Sequence, residues 1–302
     1  MYRRVIAVAA TAISMLAFAA APSDAALPVV YDGLLGYAHV SSAASPPGAN
    51  HWTCKPSAAH PYPAILVHGT FADMSDSWQA LSPLLYNNGY CVFAFNYGSY
   101  FGSGLLGIDG VGEIANSARQ LASFVNRVLS ATGTRKVDLV GHSQGGMMPR
   151  YYLKFLGGWT KVDTLVGLAP SNHGTTLAGL FTLAGFFRGA STFVGAVCPA
   201  CREQEIGSSF LTNLNSAGDT VPRVHYTVIQ SSRDEVVTPY RSAFLSGPHV
   251  TNILLQKQCS LDHGEHLSMP YDHIADTDVL NALDPAHQVT PACTTVNPIV
   301  GG

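Results

Sequence analysis

Six short stretches of uninterrupted apolar sequence, separated by longer segments of helical pattern, constrain this chain more than any other feature. They lie at 64–67, 91–95, 137–140, 164–168, 224–229 and 252–255. Each is continuous rather than alternating, as expected for strands of a mostly parallel sheet buried on both faces. Ahead of the third run, Ile114, Ala118, Leu121, Val125, Val128 and Leu129 recur at three- and four-residue spacing. That spacing is one face of an amphipathic helix, and 275–283 reads as a late helix. Alternation of strand and helix predicts one α/β domain, a mostly parallel central sheet flanked by helices. Residues 171–222 break the alternation. They hold Phe181, Phe186, Phe187, Phe193 and many glycines, with no strand period. An ordinary connection takes about 4–6 residues, so we read this stretch as a lid-like insertion containing short helices.

The third run leads into Gly141-His142-Ser143-Gln144-Gly145-Gly146, and a helical pattern follows. A turn that sharp leaves no room for side chains two positions before and after the serine, which accounts for Gly141 and Gly145. Ser143 then stands at a helix N-terminus, where free N–H groups favour developing negative charge. Pro149 sits inside that helix and predicts a kink. A serine needs a base and an orienting acid to act as a nucleophile, and in this strand–turn–helix context the order along the chain is serine, acid, histidine. The loop after 224–229 offers Asp234, with its neighbour Glu235 as the competitor. The segment after 252–255 offers His266 first, then His263 and His273. The turn Val67-His68-Gly69-Thr70-Phe71 follows the first run, where oxyanion donors are placed. The expected donors are the backbone N–H groups of Thr70 and Gln144. His142 reads as structural, and Asn172-His173-Gly174 as lining the mouth of the site. A zinc cluster around Asp262, His263, Glu265 and His266 is the alternative, but the triad accounts for His266 without a metal.

Composition closes off other classes. Charged residues make up 12% and hydrophobic ones 47%, and 16 basic against 19 acidic residues give a net charge of −3. Disorder would need low hydrophobicity and high net charge. Nucleic-acid binding would need a basic block, and there is none. At the start, Arg3 and Arg4 precede an apolar run over 5–21, then Pro22-Ser23-Asp24-Ala25. This pattern predicts a signal peptide over 1–25, cleaved after Ala25, and a secreted mature domain over 26–302. An uncleaved anchor is the alternative. No later stretch reaches the eighteen or so apolar residues of a membrane span. Six cysteines in an exported chain imply disulfides. Pairing nearest neighbours gives Cys54–Cys91, Cys198–Cys201 and Cys259–Cys293. Cys198-Pro-Ala-Cys201 also fits a redox motif or half a zinc site, but no second C-x-x-C completes it.

Three segments together resemble the secreted bacterial triacylglycerol lipases of the class 2 type. They are Gly141-His142-Ser143-Gln144-Gly145-Gly146-Met147-Met148-Pro149-Arg150, Val67-His68-Gly69-Thr70-Phe71 and Glu265-His266-Leu267-Ser268-Met269-Pro270-Tyr271-Asp272. The resemblance runs over roughly 60–285 and includes Leu168-Ala169-Pro170-Ser171-Asn172-His173-Gly174-Thr175. It implies an α/β-hydrolase fold and carboxylic-ester hydrolysis without a cofactor; some bacterial lipases carry a structural calcium, but no set of oxygen ligands for one stands out in this sequence. It implies Ser143 as nucleophile, Asp234 as acid, His266 as base, and Thr70 and Gln144 as oxyanion donors. The substrate is then an ester lipid, met during transient contact with a lipid interface. An esterase, a polyester or cutin hydrolase, and a non-catalytic binding module of the same fold are the competing readings.

Overall fold

Strand β1, Ala64–Val67, lies inside a six-stranded sheet of order β2-β1-β3-β4-β5-β6. The others are β2 Val92–Phe95, β3 Val137–His142, β4 Val162–Leu168, β5 His225–Gln230 and β6 Val250–Leu254. Every neighbouring pair is parallel. The computed structural model describes residues 25–39, 44–187, 190 and 198–302. The expected signal peptide, apart from Ala25, and Phe193 of the insertion lie outside the described residues.

Around the sheet stand helices α1 Leu81–Asn87, α2 Ile114–Thr132, α3 Gln144–Phe155, α4 Leu177–Phe186, α5 Pro199–Glu203, α6 Ser209–Asn215 and α7 His273–Leu283. The sheet separates two apolar layers. On one face Ile65, Val67 and Phe93 pack with α2 and α3 through Leu121, Val125, Met147 and Leu153. On the other, Leu66, Val92 and Val140 pack with α1 and α7 through Leu81, Leu85, Ile274 and Val279. β1, β2 and β3 are buried throughout, as their continuous apolar runs require. The expected strand at 252–255 differs. It is β6, it pairs only with β5, and Thr251 and Asn252 are exposed, whereas β2 at the other edge is buried throughout. The helix expected from Ile114 forms, but Leu129 is only partly buried, and Ser117 and Thr132 complete its inner stripe.

The opposite edge is closed by Asn50, whose backbone N–H donates to the Val92 carbonyl at 2.9 Å and whose side chain continues the pairing. Asn50 Oδ1 accepts from the Ala94 N–H at 3.0 Å and its Nδ2 donates to the Ala94 carbonyl at 2.9 Å. The amide stands in for one residue of an absent strand and removes pairing groups that an open edge would expose. The three disulfides are Cys54–Cys91, Cys198–Cys201 and Cys259–Cys293, the nearest-neighbour set. The first ties the leading segment to β2. The third ties the C-terminal tail to the loop after β6.

Helices α4, α5 and α6 occupy the stretch between β4 and β5, and Leu180, Leu183, Cys201, Leu211 and Leu214 join the layer over α2 and α3. Arg150 of α3 fastens this region. It is fully buried, and it donates to the Asn172 carbonyl at 3.0 Å, Asn215 Oδ1 at 2.6 Å and the Asp219 carbonyl at 3.1 Å. Asn172 and His173, expected at the mouth of the site, belong to this fastening instead. The Asn172 amide donates to the Ala243 carbonyl, and the His173 ring lies 3.0 Å from both the Ser242 carbonyl and Asp219 Oδ1.

Candidate active site

Ser143 sits between β3 and α3 with φ 55° and ψ −124°. A side-chain-bearing residue rarely adopts a positive φ, and the cost is met only where the surroundings fix the turn. The surroundings here are backbone atoms. A Cβ on Gly141 would stand 1.9 Å from the Gly145 carbonyl oxygen, and one on Gly145 would stand 2.1 Å from the Val67 carbonyl oxygen. Pro149 belongs to the same arrangement. Helix α3 runs through it, and proline has no N–H to give the carbonyl four residues back, which is that of Gly145. The Ser143 N–H bonds the Leu168 carbonyl at 2.9 Å, tying the turn to β4.

Asp234 follows β5, and its two oxygens do different work. Oδ1 accepts from the Val236 and Val237 N–H groups at 2.9 and 2.7 Å. Oδ2 lies 3.0 Å from His266 Nδ1, with both side chains fully buried. A carboxylate at Nδ1 holds the proton there and leaves the Nε2 lone pair open. Nε2 is buried and has no hydrogen-bond partner among the described residues. His266, Ser143, Gly69, Thr70 and His142 line one narrow cleft, closed by Tyr37, Ala72, Leu183, Phe187 and Leu267. Burial opposes a charge on His266, but Asp234, with Glu235 and Glu265 behind it, outweighs burial and raises the imidazole pKa above its ordinary 6.5.

The alternatives raised by sequence separate here. Glu235 does not reach His266 Nδ1. Burial, and then the Glu265 carboxylate, raise its pKa to about 7, and it hydrogen-bonds Glu265. Glu265 braces the histidine loop, accepting from Leu267, Ser268 and Ile299 N–H groups at 2.8, 3.1 and 2.7 Å. His263 bonds Val296 through its backbone, and His273 faces the C-terminal tail at the Ala292 and Gly302 carbonyls. Among the described residues no three His, Cys, Asp or Glu side chains are placed to hold a metal. His142 turns its Nε2 to the His266 carbonyl at 2.9 Å. Burial, reinforced by His266, lowers its pKa well below 6.5, so it is neutral and donates that bond.

Gln144 is the first residue of α3, so its backbone N–H is one that no helical carbonyl meets. Its side chain donates to Thr70 Oγ1 at 2.8 Å and to the Gly110 carbonyl at 2.6 Å. The Thr70 hydroxyl also accepts from Gln204 Nε2 at 2.9 Å, a residue 134 positions away that the sequence did not single out.

The family model for lipase (class 2) matches residues 61–275. The chain belongs to the class 2 lipases. Over 123 residues this class 2 lipase is 39% identical to a triacylglycerol lipase of Burkholderia plantarii, covering 39% of its own length and 31% of that protein's. Over 99 residues it is 40% identical to a triacylglycerol lipase of Pseudarthrobacter phenanthrenivorans, covering 31% and 28%. The chain thus spans under a third of the length of these two relatives. Among solved structures, Aspergillus fumigatus lipase B superposes with a TM-score of 0.57 at 20% identity, over 82% of this chain and 57% of that one. A Bacillus licheniformis lipase in its mature form gives 0.55 at 18% identity, over 76% and 94%. These two likenesses show the α/β-hydrolase fold that the resemblance implies, and its mostly parallel sheet is the one the strand–helix alternation predicts.

Proposed function

We propose that this class 2 lipase is an exported serine ester hydrolase acting on triacylglycerols at a lipid interface, without a cofactor. The observation that carries the reading is the convergence of a strained serine, a carboxylate-held histidine and an apolar wall in one cleft. Ser143 Oγ attacks the ester carbonyl carbon while His266 Nε2 takes its proton. The carbonyl oxygen becomes an oxyanion facing the Thr70 and Gln144 backbone N–H groups. The carbon–oxygen bond to the alcohol breaks as His266 returns the proton to the leaving oxygen. Water, deprotonated by His266, then releases the acid from the acyl-enzyme. Asp234 keeps the imidazole in the required tautomer and stabilises its cation.

Helix α4 supports the lipid part of the reading. Its sequence is almost wholly apolar. Leu180, Leu183 and Ala184 face inward, while Phe181 and Phe186 remain 53% and 47% exposed. Water solvates such a helix poorly, whereas an acyl-chain surface does not penalise it. The triacylglycerol substrate is also the one printed in the names of the two bacterial relatives. Export, with residues 1–25 as signal peptide, is supported by three disulfides, which persist in oxidising compartments. Among the described residues no helix is long and apolar enough to cross a membrane.

Purified Ser143→Ala, assayed on p-nitrophenyl esters from acetate to palmitate and on emulsified triolein, tests both parts. Loss of about 10⁶-fold in kcat is expected for the variant, and wild type should work on the long chains and the emulsion. Retained activity in the variant contradicts the nucleophile. Wild-type activity confined to acetate and butyrate contradicts the lipid substrate.

A further inference from the structure

Tyr37 lines the cleft of Ser143 and His266 from a segment that precedes the 61–275 stretch of the family match. It is the last residue of a short helix, Gly33–Tyr37. Close backbone approach brings that helix to the site. The Gly33 N–H donates to the Val300 carbonyl at 2.6 Å, and a Cβ on Gly33 would stand 2.0 Å from the Ile299 carbonyl oxygen. A Cβ on Gly36 would stand 2.0 Å from the hydroxyl of Tyr271, whose side chain is fully buried. Only glycine permits both contacts.

The Tyr37 side chain is then anchored along its length. Its hydroxyl donates to the Leu267 carbonyl at 2.9 Å, and its ring meets the Tyr271 ring in a T-shaped contact with centroids 5.4 Å apart. Burial raises the pKa of that hydroxyl well above its ordinary 10, so it keeps the proton it donates. Phe187, the residue after α4, meets Tyr37 in a second T-shaped contact, with centroids 5.6 Å apart. Tyr37 is thus the fixed wall of the cleft, and Phe187 packs onto it.

A fixed wall selects by shape. In the ester-hydrolase reading His266 Nε2 protonates the leaving alcohol oxygen, so the alcohol lies beside His266. Leu267, whose carbonyl anchors Tyr37, is the next residue in the chain.

We propose that Tyr37 is a specificity-determining residue: its anchored ring walls the alcohol side of the cleft, admitting esters of primary alcohols and excluding a branch on the alcohol carbon. The inference rests on the Ser143 ester-hydrolase reading and deepens it by naming the class of alcohol.

The test compares n-butyl butyrate with sec-butyl butyrate. The two isomers leave the same butyryl group on Ser143, so their kcat/KM values differ only in the steps up to loss of the alcohol. Acid release in a pH-stat gives the ratio of the two, and a ratio taken within one protein does not move when a variant merely yields less folded enzyme. Wild type should favour the n-butyl ester by at least about tenfold, the usual effect of one misplaced carbon in a fitted pocket. Tyr37→Ala should shrink that preference to about threefold or less. Tyr37→Phe, which keeps the ring and its contact with Tyr271, should retain the wild-type ratio. Should Tyr37→Ala fail to fold, Tyr37→Leu takes its place, removing the ring while keeping apolar volume, and the preference should shrink in the same direction. Wild type without a preference, an unchanged ratio in the alanine or leucine variant, or a ratio that falls as far in Tyr37→Phe as in Tyr37→Ala overturns the proposal. Ser143→Ala, run alongside, separates the two ideas. A dead Ser143 variant beside an unchanged ratio removes only the role of Tyr37, whereas an active Ser143 variant removes the ester-hydrolase reading beneath it.

Discussion

The turn at Ser143 and helix α4 face the same cleft, yet different parts of the chain build them. At the turn the determinants are backbone atoms. Carbonyl oxygens stand 1.9 to 2.1 Å from where side chains on Gly141 and Gly145 would begin, and β3 beneath is buried at every residue. At α4 the determinants are side chains, apolar on the inner face and the outer alike. A Cβ on its Gly185 would meet nothing within 4 Å. The difference teaches that the proposed nucleophile's geometry is set by sterics with no slack, whereas helix α4 is set by surface chemistry that tolerates change.

Alanine in each region gives the sharpest contrast. Gly145→Ala should abolish hydrolysis and lower stability by more than about 3 kcal/mol, because the atom it meets is backbone and cannot move aside. Gly185→Ala should leave activity intact and add about 0.5–1 kcal/mol, the helix preference for alanine over glycine. Thermal melts beside a soluble-ester assay check both, and equal effects at the two sites would dissolve the comparison. Within the rigid half, Asp234→Asn should lower kcat by about 10⁴-fold with the fold preserved, since it upsets the histidine tautomer without removing volume. Stopped-flow or steady-state assay at neutral pH reads it. Within the apolar half, Phe181→Ser with Phe186→Ser should lower the rate on emulsified triolein several-fold and leave soluble p-nitrophenyl butyrate within about twofold. A parallel loss on both substrates would show that these rings act on the reaction itself.

The smallest expected effect concerns pH. As the proposed base, His266 must be neutral at Nε2 to accept a proton, and its pKa is raised above 6.5. The acid limb of kcat/KM should therefore have its midpoint above pH 6.5, with activity lost as pH falls through it. Glu235 contributes negative charge to that shift. Glu235→Gln removes it, so the limb should move to lower pH, and a move to higher pH would contradict the sign.

The rigid half was legible in the sequence because its signals are local. Gly141, Ser143 and Gly145 lie within one turn, and the buried runs preceding them read as strands without reference to anything distant. Asp234 and His266 were located by chain order and by the strands before them. Asp234 was already preferred over Glu235, and the fold adds which of the two adjacent carboxylates points at His266. The exposure of β6 was not visible, because an apolar run does not reveal how fully other segments cover its strand, and the two edge strands β2 and β6 differ in this. Gln204 left no trace, because a glutamine in a glycine-rich stretch gains meaning only from Thr70, 134 positions earlier. Asn172 and His173 were misjudged for the same reason. Their partners, Arg150, Asp219 and Ser242, come from separate segments.

The central claim is that Ser143, held in a strained turn opposite His266, is the nucleophile. Wild-type protein titrated with diethyl p-nitrophenyl phosphate and examined by intact mass and peptide mapping tests it most directly. One diethylphosphoryl adduct per chain on Ser143, with hydrolysis lost in proportion to labelling, is the expected result. An adduct on another residue, or full activity in protein labelled at Ser143, would contradict it.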